Sequence, residues 1–438
     1  MRAGSFLIAI GLISSNVLPS ADAGAQQKSD RYQLENGLTV ILCPVTGAVE
    51  TALVVMYSMG GDQDPKGMSG LAHLIEHAYV TAAAGSEKAR TADEFANRYN
   101  GAWNAQTGDR HTLIATVFSP SALEKELQDA AARMNDLHIT TADLDREKPR
   151  VLFELNNTFN LMSQLAAMNT ARELVRPTPI GGRRGGVPEQ VSAITAKDAQ
   201  ERWQRFYKPR NAIVSLAGSV DIEQARKTIA EYFAKIPSGD AAPAPQEPGA
   251  PRFGATQEIP GKPNDPTGVP QIWLAYRAPQ PGSDLYVPFL VLTGRLLDES
   301  FKIGVGDDLP VHYTALDDPA VFHIGLPLIK GATAKQTQAK LESFVASTIQ
   351  PELNANDVKR VLREYGPLLG LSDFAGIQAV QNPYLLAFSL GRCRQLGIDS
   401  AGLKKRLDSL TDKDLRIAAK EIFASEKHAA VVIASKKD

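Results

Sequence analysis

The sequence has few cysteines and no excess of charge of one sign. Its 438 residues include only 2 cysteines, too few to build a structural zinc site from thiolates alone. The formal net charge is -2, from 47 basic and 49 acidic residues. This balance gives no electrostatic reason to expect a nucleic acid as partner. No long apolar run follows the first 18 residues, so no later segment is expected to span a membrane.

Composition and length indicate a globular protein of more than one domain. Hydrophobic residues make up 43% and charged residues 22% of the chain, which is ordinary for such proteins. A length of 438 residues exceeds one compact core and favours two or three domains. Cys43 and Cys393 lie near opposite ends of the chain. An exported protein could pair them, but their separation favours two buried, unpaired thiols.

The first residues resemble a secretory leader. Met1 and Arg2 give a short basic start, an apolar run follows from 6 to 18, and Ala21 and Ala23 offer the small residues that a signal peptidase recognises. We expect a signal peptide at 1–23 of bacterial type and therefore a periplasmic protein. The alternative is a short membrane anchor, although the run is short for a bilayer crossing.

The rest of the chain predicts two similar units joined by a linker. Prolines recur from 237 to 270 among Gly, Ala and Asp, which is typical of an extended linker. Before and after it, short alternating strands mix with helices in a similar order. We therefore predict an α+β fold with antiparallel sheets, an N-terminal domain at 29–236 and a C-terminal domain at 271–438.

One helix of the first unit carries a metal-binding pattern. A helix is predicted from 69 to 80 with Ser69 as its N-cap, and it contains H-x-x-E-H. His73 and His77 are four residues apart, so both imidazoles project from one helix face and can reach one metal. Glu76 borders that face and can accept a proton from a water molecule. The alternative is a chance match on an amphipathic helix, which is rare with 7 histidines.

This motif resembles the signature of the inverzincins, the pitrilysin and insulin-degrading-enzyme family of zinc peptidases. The resemblance implies a third zinc ligand well beyond His77, and Glu154 stands at the family's spacing. It also implies a supporting glutamate two helical turns earlier, where this chain has Glu147. One zinc ion per chain and a fold forming half of a clamshell follow from the same resemblance. Pro149, between the two glutamates, is unusual inside a helix.

A second stretch resembles the family's substrate-binding edge strand. It reads Asn104-Ala105-Gln106-Thr107. The resemblance implies that Asn104 and Ala105 contact a peptide substrate, which adds to the sheet as an extra strand. An ordinary turn before a strand is the alternative.

The second half departs from the family. Active members place an arginine and a tyrosine there, and these stabilise the oxyanion formed during attack. Around Arg295 and Tyr313 that pair is not recognisable. The resemblance then implies a homologous partner subunit that supplies it. Two further hypotheses remain open: a non-catalytic assembly subunit, and a zinc hydrolase of non-peptide substrates.

Overall fold

The computed structural model describes residues 29–161, 163–177, 185–261, 269–300, 311–313, 316, 320–371 and 382–434. The signal peptide predicted at 1–23 lies outside these ranges. Within them the chain forms two main sheets with helices packed on their faces. The predicted α+β class is therefore confirmed, and most neighbouring strands are antiparallel.

The first sheet is built from six strands of the first half. The described first half has eight strands in all, which in chain order are β1 (Asp30–Gln33), β2 (Thr39–Pro44), β3 (Thr51–Tyr57), β4 (Ala83–Ala84), β5 (Trp103–Thr107), β6 (Thr112–Phe118), β7 (Leu137–His138) and β8 (Ala212–Gly218). The sheet order is β1-β2-β8-β3-β6-β5, while β4 and β7 pair separately. Only β2 and β8 run parallel to each other. Strand β5 is thus an edge strand.

The first half has eight helices in the described ranges. They are α1 (Leu71–Thr81), α2 (Ala92–Arg98), α3 (Leu123–Asn135), α4 (Thr141–Leu161), α5 (Ser163–Val175), α6 (Pro188–Ala193), α7 (Ala196–Phe206) and α8 (Ile222–Phe233). Short 3-10 turns lie at Gly61–Gln63, Pro120–Ala122 and Pro209–Asn211. Helix α4 continues through Pro149. Several of these helices are capped at the N-terminus by a side chain, as Thr195 caps α7.

The second half repeats the same plan around a sheet of order β11-β12-β10-β13-β9. Its elements are β9 (Thr256–Pro260), β10 (Gln271–Arg277), α9 (Tyr286–Ser300), β11 (Val311–His312), β12 (Val321–Pro327), α10 (Ala334–Thr348), α11 (Asp357–Glu364), α12 (Gly366–Leu369), α13 (Pro383–Gln395), α14 (Ser400–Asp408), α15 (Asp412–Phe423) and β13 (His428–Ala434). Both halves thus mix short strands with helices, as the sequence predicted.

The proline-rich stretch at 237–270 is more than a connection. It contributes β9, which pairs in parallel with β13 at the edge of the second sheet. Pro260 ends this strand, and an edge position tolerates a residue without an N–H. The strand was not foreseen because its residues lack apolar alternation. The domain boundaries drawn from the sequence remain a prediction.

Each half supplies a helix that covers the other half's sheet. Helix α13 of the second half packs on β3 and β8, where Leu386 and Ala387 join Val54 and Met56 in one apolar cluster. Helix α5 of the first half packs on β10 and β13. Because α1 and its neighbours cover the opposite face of β3, that strand is buried on both faces. This double cover explains its unbroken apolar sequence.

Both cysteines are free and buried, as predicted. Cys43 lies on β2 under α13, and Cys393 lies on α13 itself. Burial raises the pKa of Cys43 to about 11 and that of Cys393 to about 12, because the thiolate is poorly solvated there. Both thiols are therefore unreactive at neutral pH.

Candidate metal centre

Helix α1 presents the H-x-x-E-H residues on one face. Leu74, Ile75 and Ala78 are fully buried and anchor the opposite face in the main core of the first half. The rings of His73 and His77 lie with centroids 4.9 Å apart and planes at 74°. The ligand atoms of these two rings and of Glu76 all lie within 4.8 Å of one another. One helical turn therefore brings together the groups that the sequence predicted.

The start of α1 is fixed by a side chain that sequence analysis missed. Gly70 is the N-cap and adopts φ 101°, a conformation that favours glycine. The Asp64 carboxylate accepts hydrogen bonds from the N–H groups of Gly70 at 2.8 Å and Ala72 at 3.0 Å. Ser69, predicted as the N-cap, is therefore not the cap. Asp64 serves instead because the preceding loop folds its carboxylate onto the helix start.

The end of α1 is held by the buried Arg133 and the partly buried Arg90. Arg133 of α3 donates to the carbonyl oxygens of Tyr79 and Ala82, the latter at 3.1 Å. Arg90 donates to the carbonyl oxygen of Val80 at 3.0 Å. Asp129 pairs with both guanidinium groups. An anion at the N-terminus and cations at the C-terminus both complement the helix dipole, so α1 is held rigidly at either end.

Glu154 of α4 meets the two histidines at a single oxygen. Its Oε2 lies 3.3 Å from Nε2 of His73 and 3.4 Å from Nε2 of His77. Ligand atoms of a tetrahedral zinc ion, bound at about 2.0 to 2.2 Å, are separated by about 3.3 to 3.6 Å. The two imidazoles and the carboxylate are thus spaced as zinc ligands would be. Their chemistry, two neutral nitrogens and one oxygen, also fits zinc.

The outward nitrogens of both rings have partners that set the ring orientation. Nδ1 of His77 lies 3.3 Å from Oε2 of Glu147, and Nδ1 of His73 lies 3.0 Å from the carbonyl oxygen of Gly185. An acceptor at Nδ1 places the proton there and leaves Nε2 with a lone pair for a metal. Glu147 therefore lies where the resemblance implied. The Gly185 carbonyl was not foreseen, because backbone partners leave no sequence signal.

Carboxylates and imidazoles shift each other's protonation here. Burial disfavours a charged His77, but hydrogen bonds to Glu147 and Glu154 outweigh it and raise its pKa to about 10. Burial would raise the pKa of Glu154, but the two imidazoles hold it well below its usual range. Without a cation the site therefore attracts a proton. A zinc ion in the same place would satisfy the same carboxylate and both rings.

Glu76 borders the site and does not bridge the rings as Glu154 does. It is buried, and its Oε2 accepts a hydrogen bond from Thr107 Oγ1 at 2.6 Å. Burial raises the pKa of Glu76, while His73 and His77 oppose this rise. A carboxylate of raised pKa near two candidate metal ligands is suited to take a proton and return it. Thr107 was not assigned this contact because only the fold brings β5 beside α1.

The predicted substrate strand β5 is the open edge of the first sheet. Val117 donates its N–H to the carbonyl oxygen of Ala102, and Gly108 donates to that of His111. Hydrogen-bonded and non-bonded pairs alternate in antiparallel ladders, so Ala105 and Thr107 turn their N–H and C=O groups away from β6.

Asn104 itself is directed differently from Ala105. Its backbone belongs to the pairs that face β6, and its side chain points toward the second half. There its Nδ2 donates to Tyr384 Oη of α13 at 3.0 Å. A residue of the second half thus contacts the predicted substrate strand.

Arg295 and Tyr313 make their contacts within the second half. Arg295 is buried, and its Nε donates to Asp357 Oδ1 at 2.8 Å. It also donates to the carbonyl oxygens of Gln350 and Glu352. Tyr313 packs edge-to-face on two other aromatic rings of the second core. Arg295 therefore stabilises the packing of the second half.

In the described ranges, no helix combines the length and apolar character needed to cross a bilayer.

Comparisons with known proteins assign this fold and motif to one family. The model described as Insulinase (Peptidase family M16) matches residues 43–183, and Peptidase M16 inactive domain matches residues 193–365. Zinc protease PqqE of Helicobacter pylori is 28% identical over 387 residues, which are 81% of this chain and 84% of that protein. The chain spans about half or less of other curated relatives that it matches.

Solved structures show the same fold. A protease from Helicobacter pylori superposes with a TM-score of 0.75 and 19% identity, covering 94% of this chain and 100% of that one. The periplasmic protease PqqL of Escherichia coli gives a TM-score of 0.71 and 17% identity, covering 94% of this chain and 48% of that one. These matches agree with the predicted half of a clamshell. The two family models together cover more than half of the sequence, and this chain therefore belongs to the M16 peptidase family.

Proposed function

We propose that this chain is an exported zinc metalloendopeptidase that hydrolyses bonds in peptides or unfolded segments. His73, His77 and Glu154 would hold the zinc ion, and Glu76 would act as the catalytic base. One observation carries the proposal: a single carboxylate oxygen lies 3.3 and 3.4 Å from two imidazole nitrogens, at the spacing of tetrahedral zinc ligands. Similar proteins named zinc proteases support it.

The residues around the site divide the work of hydrolysis. Zinc, when bound, would lower the pKa of water and polarise the peptide carbonyl. Glu76 accepts the proton of the attacking water and later donates it to the leaving amine. The Thr107 hydroxyl, 2.6 Å from Glu76, holds the carboxylate in place. Glu147 keeps the His77 ring oriented through Nδ1.

The open edge of β5 supplies a binding surface for an extended peptide. A substrate strand would pair with the outward N–H and C=O groups of Ala105 and Thr107. Because Thr107 also bonds to Glu76, such a strand would pass next to the base. Backbone pairing is independent of side-chain identity, so it suits varied peptides. Asn104 would add a side-chain contact at the same edge.

A homologous partner subunit completes the proposed enzyme. The family's arginine and tyrosine are not recognisable in this chain, and Arg295 is engaged by Asp357. Loss of an oxyanion donor typically costs several kcal/mol of transition-state stabilisation. The chain also spans about half of PqqL, which leaves room for a second half of similar size. A purified chain that cleaved peptides at full rate with zinc alone would contradict this part of the proposal.

The proposal of export depends on the leader sequence predicted at 1–23. The structurally similar PqqL is a periplasmic protease, which supports it. The non-catalytic assembly subunit is not favoured. Such subunits have no need of a preserved metal site, whereas His73, Glu76, His77 and Glu154 are all present and adjacent.

Metal analysis and peptide cleavage test the proposal. We expect about one zinc per wild-type chain, loss of zinc in His77→Ala, and no loss in His138→Ala, whose imidazole is exposed. With the partner present, Glu76→Gln should retain zinc and lose about 100- to 10,000-fold in kcat. Glu201→Gln, an exposed carboxylate, is the matched control. Cleavage by Glu76→Gln at the wild-type rate would remove the base assignment.

A further inference from the structure

Two arginines of α4 enclose the Glu147 carboxylate. Arg146 Nε donates to Glu147 Oε1 at 3.0 Å, and Arg150 Nε lies 3.4 Å from Oε2. The Glu147 side chain is 1% exposed, whereas each arginine side chain is 34% exposed. The guanidinium groups therefore lie between this buried carboxylate and solvent. Oε2 is the same oxygen that faces Nδ1 of His77.

The charges of the site explain why positive groups are needed next to Glu147. Glu76, Glu147 and Glu154 bring three carboxylates around one dication site. A buried carboxylate is costly unless a cation or hydrogen bonds compensate it. Arg146 supplies positive charge at Oε1 of Glu147, and Arg150 supplies it at Oε2, the oxygen that also faces His77. Without that charge, Glu147 would gain by turning toward water and leaving the imidazole.

The two arginines differ in how they are anchored. Arg146 Nη2 donates to Asp143 Oδ1 at 2.9 Å, and Thr140 donates its N–H to Asp143 at 2.9 Å. Arg146 is therefore tied into the start of α4. Arg150 lies one turn after Glu147 and one turn before Glu154, between the two functional glutamates on the helix. Substitution of Arg150 is the sharper perturbation because it leaves the helix start intact.

We propose that Arg150, assisted by Arg146, is a positioning residue for the metal centre. It holds the Glu147 carboxylate against Nδ1 of His77 and so keeps Nε2 directed at the zinc. Zinc affinity then depends on a side chain that does not touch the metal. This inference rests on the proposed function, since it assumes that zinc is the ligand of His73, His77 and Glu154.

Zinc affinity, measured by competition with a chelator of known affinity, tests the inference without any activity assay. Arg150→Met is expected to weaken zinc binding about 10- to 100-fold, the usual effect of removing a residue that orients a ligand. Arg150→Lys keeps the charge and should stay within about threefold of wild type. Arg205→Met removes an exposed arginine paired with Asp240 and should change nothing. Circular dichroism and thermal unfolding in chelator verify that each variant folds.

The outcomes separate this inference from the proposed function. A wild-type chain that binds no zinc removes both. Wild-type binding that persists unchanged in Arg150→Met removes only the role of Arg150, as does a lysine variant as weak as the methionine variant. Should Arg150→Met fail to fold, Arg150→Gln carries the test. It keeps a donor but lacks charge, and unchanged affinity in it would overturn the inference.

Discussion

Removal of the Asp64 carboxylate should destabilise the metal-free chain by more than the loss of a typical helix cap does. The side chain is buried and accepts two N–H groups at the start of α1. In Asp64→Ala both donors lose their partner, at about 1 to 3 kcal/mol each. The cost of burying the carboxylate offsets part of this loss. We therefore expect a net loss of about 2 kcal/mol in unfolding free energy at pH 8.

The effect should depend on pH in a defined direction. Burial raises the pKa of Asp64 from 3.8 to about 7. The folded chain therefore binds more protons than the unfolded chain between these pH values. The stability contributed by Asp64 is larger at low pH and falls as pH rises toward 7, by up to about 1.4 kcal/mol per unit. Asp64→Ala should cost about 4.6 kcal/mol at pH 5 by the same reasoning.

Urea unfolding in chelator, followed by circular dichroism, measures both values. Asp221→Ala is the matched control, because Asp221 caps α8 through one N–H and is exposed. It should cost about 0.5 to 1 kcal/mol at either pH. If Asp64→Ala costs no more than Asp221→Ala, the two hydrogen bonds do not stabilise α1 as argued. If its cost does not grow from pH 8 to pH 5, burial does not raise the pKa of Asp64.

Two further outcomes follow from other parts of the structure. Burial lowers the pKa of Lys208 from 10.5 to about 8, so the unfolded chain binds more protons in that interval. The unfolding free energy of wild type minus that of Lys208→Met should therefore rise between about pH 8 and pH 10.5. Thermal unfolding at several pH values measures this difference. A difference that does not change with pH would contradict the pKa shift. Zinc at about 1,000 times its dissociation constant should stabilise the chain by about 4 kcal/mol, and His77→Ala should abolish this gain. An equal gain in His77→Ala would place the binding elsewhere.

Local sequence patterns predicted the elements that carry the site. The helix that carries His73 and His77, predicted at 69–80, was placed within two residues of its observed bounds. His73, Glu76 and His77 could be grouped because a helix fixes the spacing of residues three and four apart. Glu154 required the family resemblance, since no local rule connects it with α1.

Contacts between distant segments could not be predicted. Asp64 caps α1 and Thr107 holds Glu76 only because a loop and a strand fold beside that helix. Strand β9 was hidden in a proline-rich segment because edge strands need little apolar alternation. The crossing of α5 and α13 between the halves leaves no local signal, since a helix sequence does not reveal which sheet the helix covers.

The crossing of α13 has a consequence for biosynthesis. The face of β3 that carries Val54 and Met56 is sealed by residues from Pro383–Gln395, more than three hundred positions later. A nascent chain therefore cannot cover this face of its first sheet until nearly the whole polypeptide has left the ribosome. Until then this apolar face of the sheet is exposed to solvent, and the incomplete chain is prone to aggregation. A fragment truncated within 237–270 would carry the same exposed face permanently.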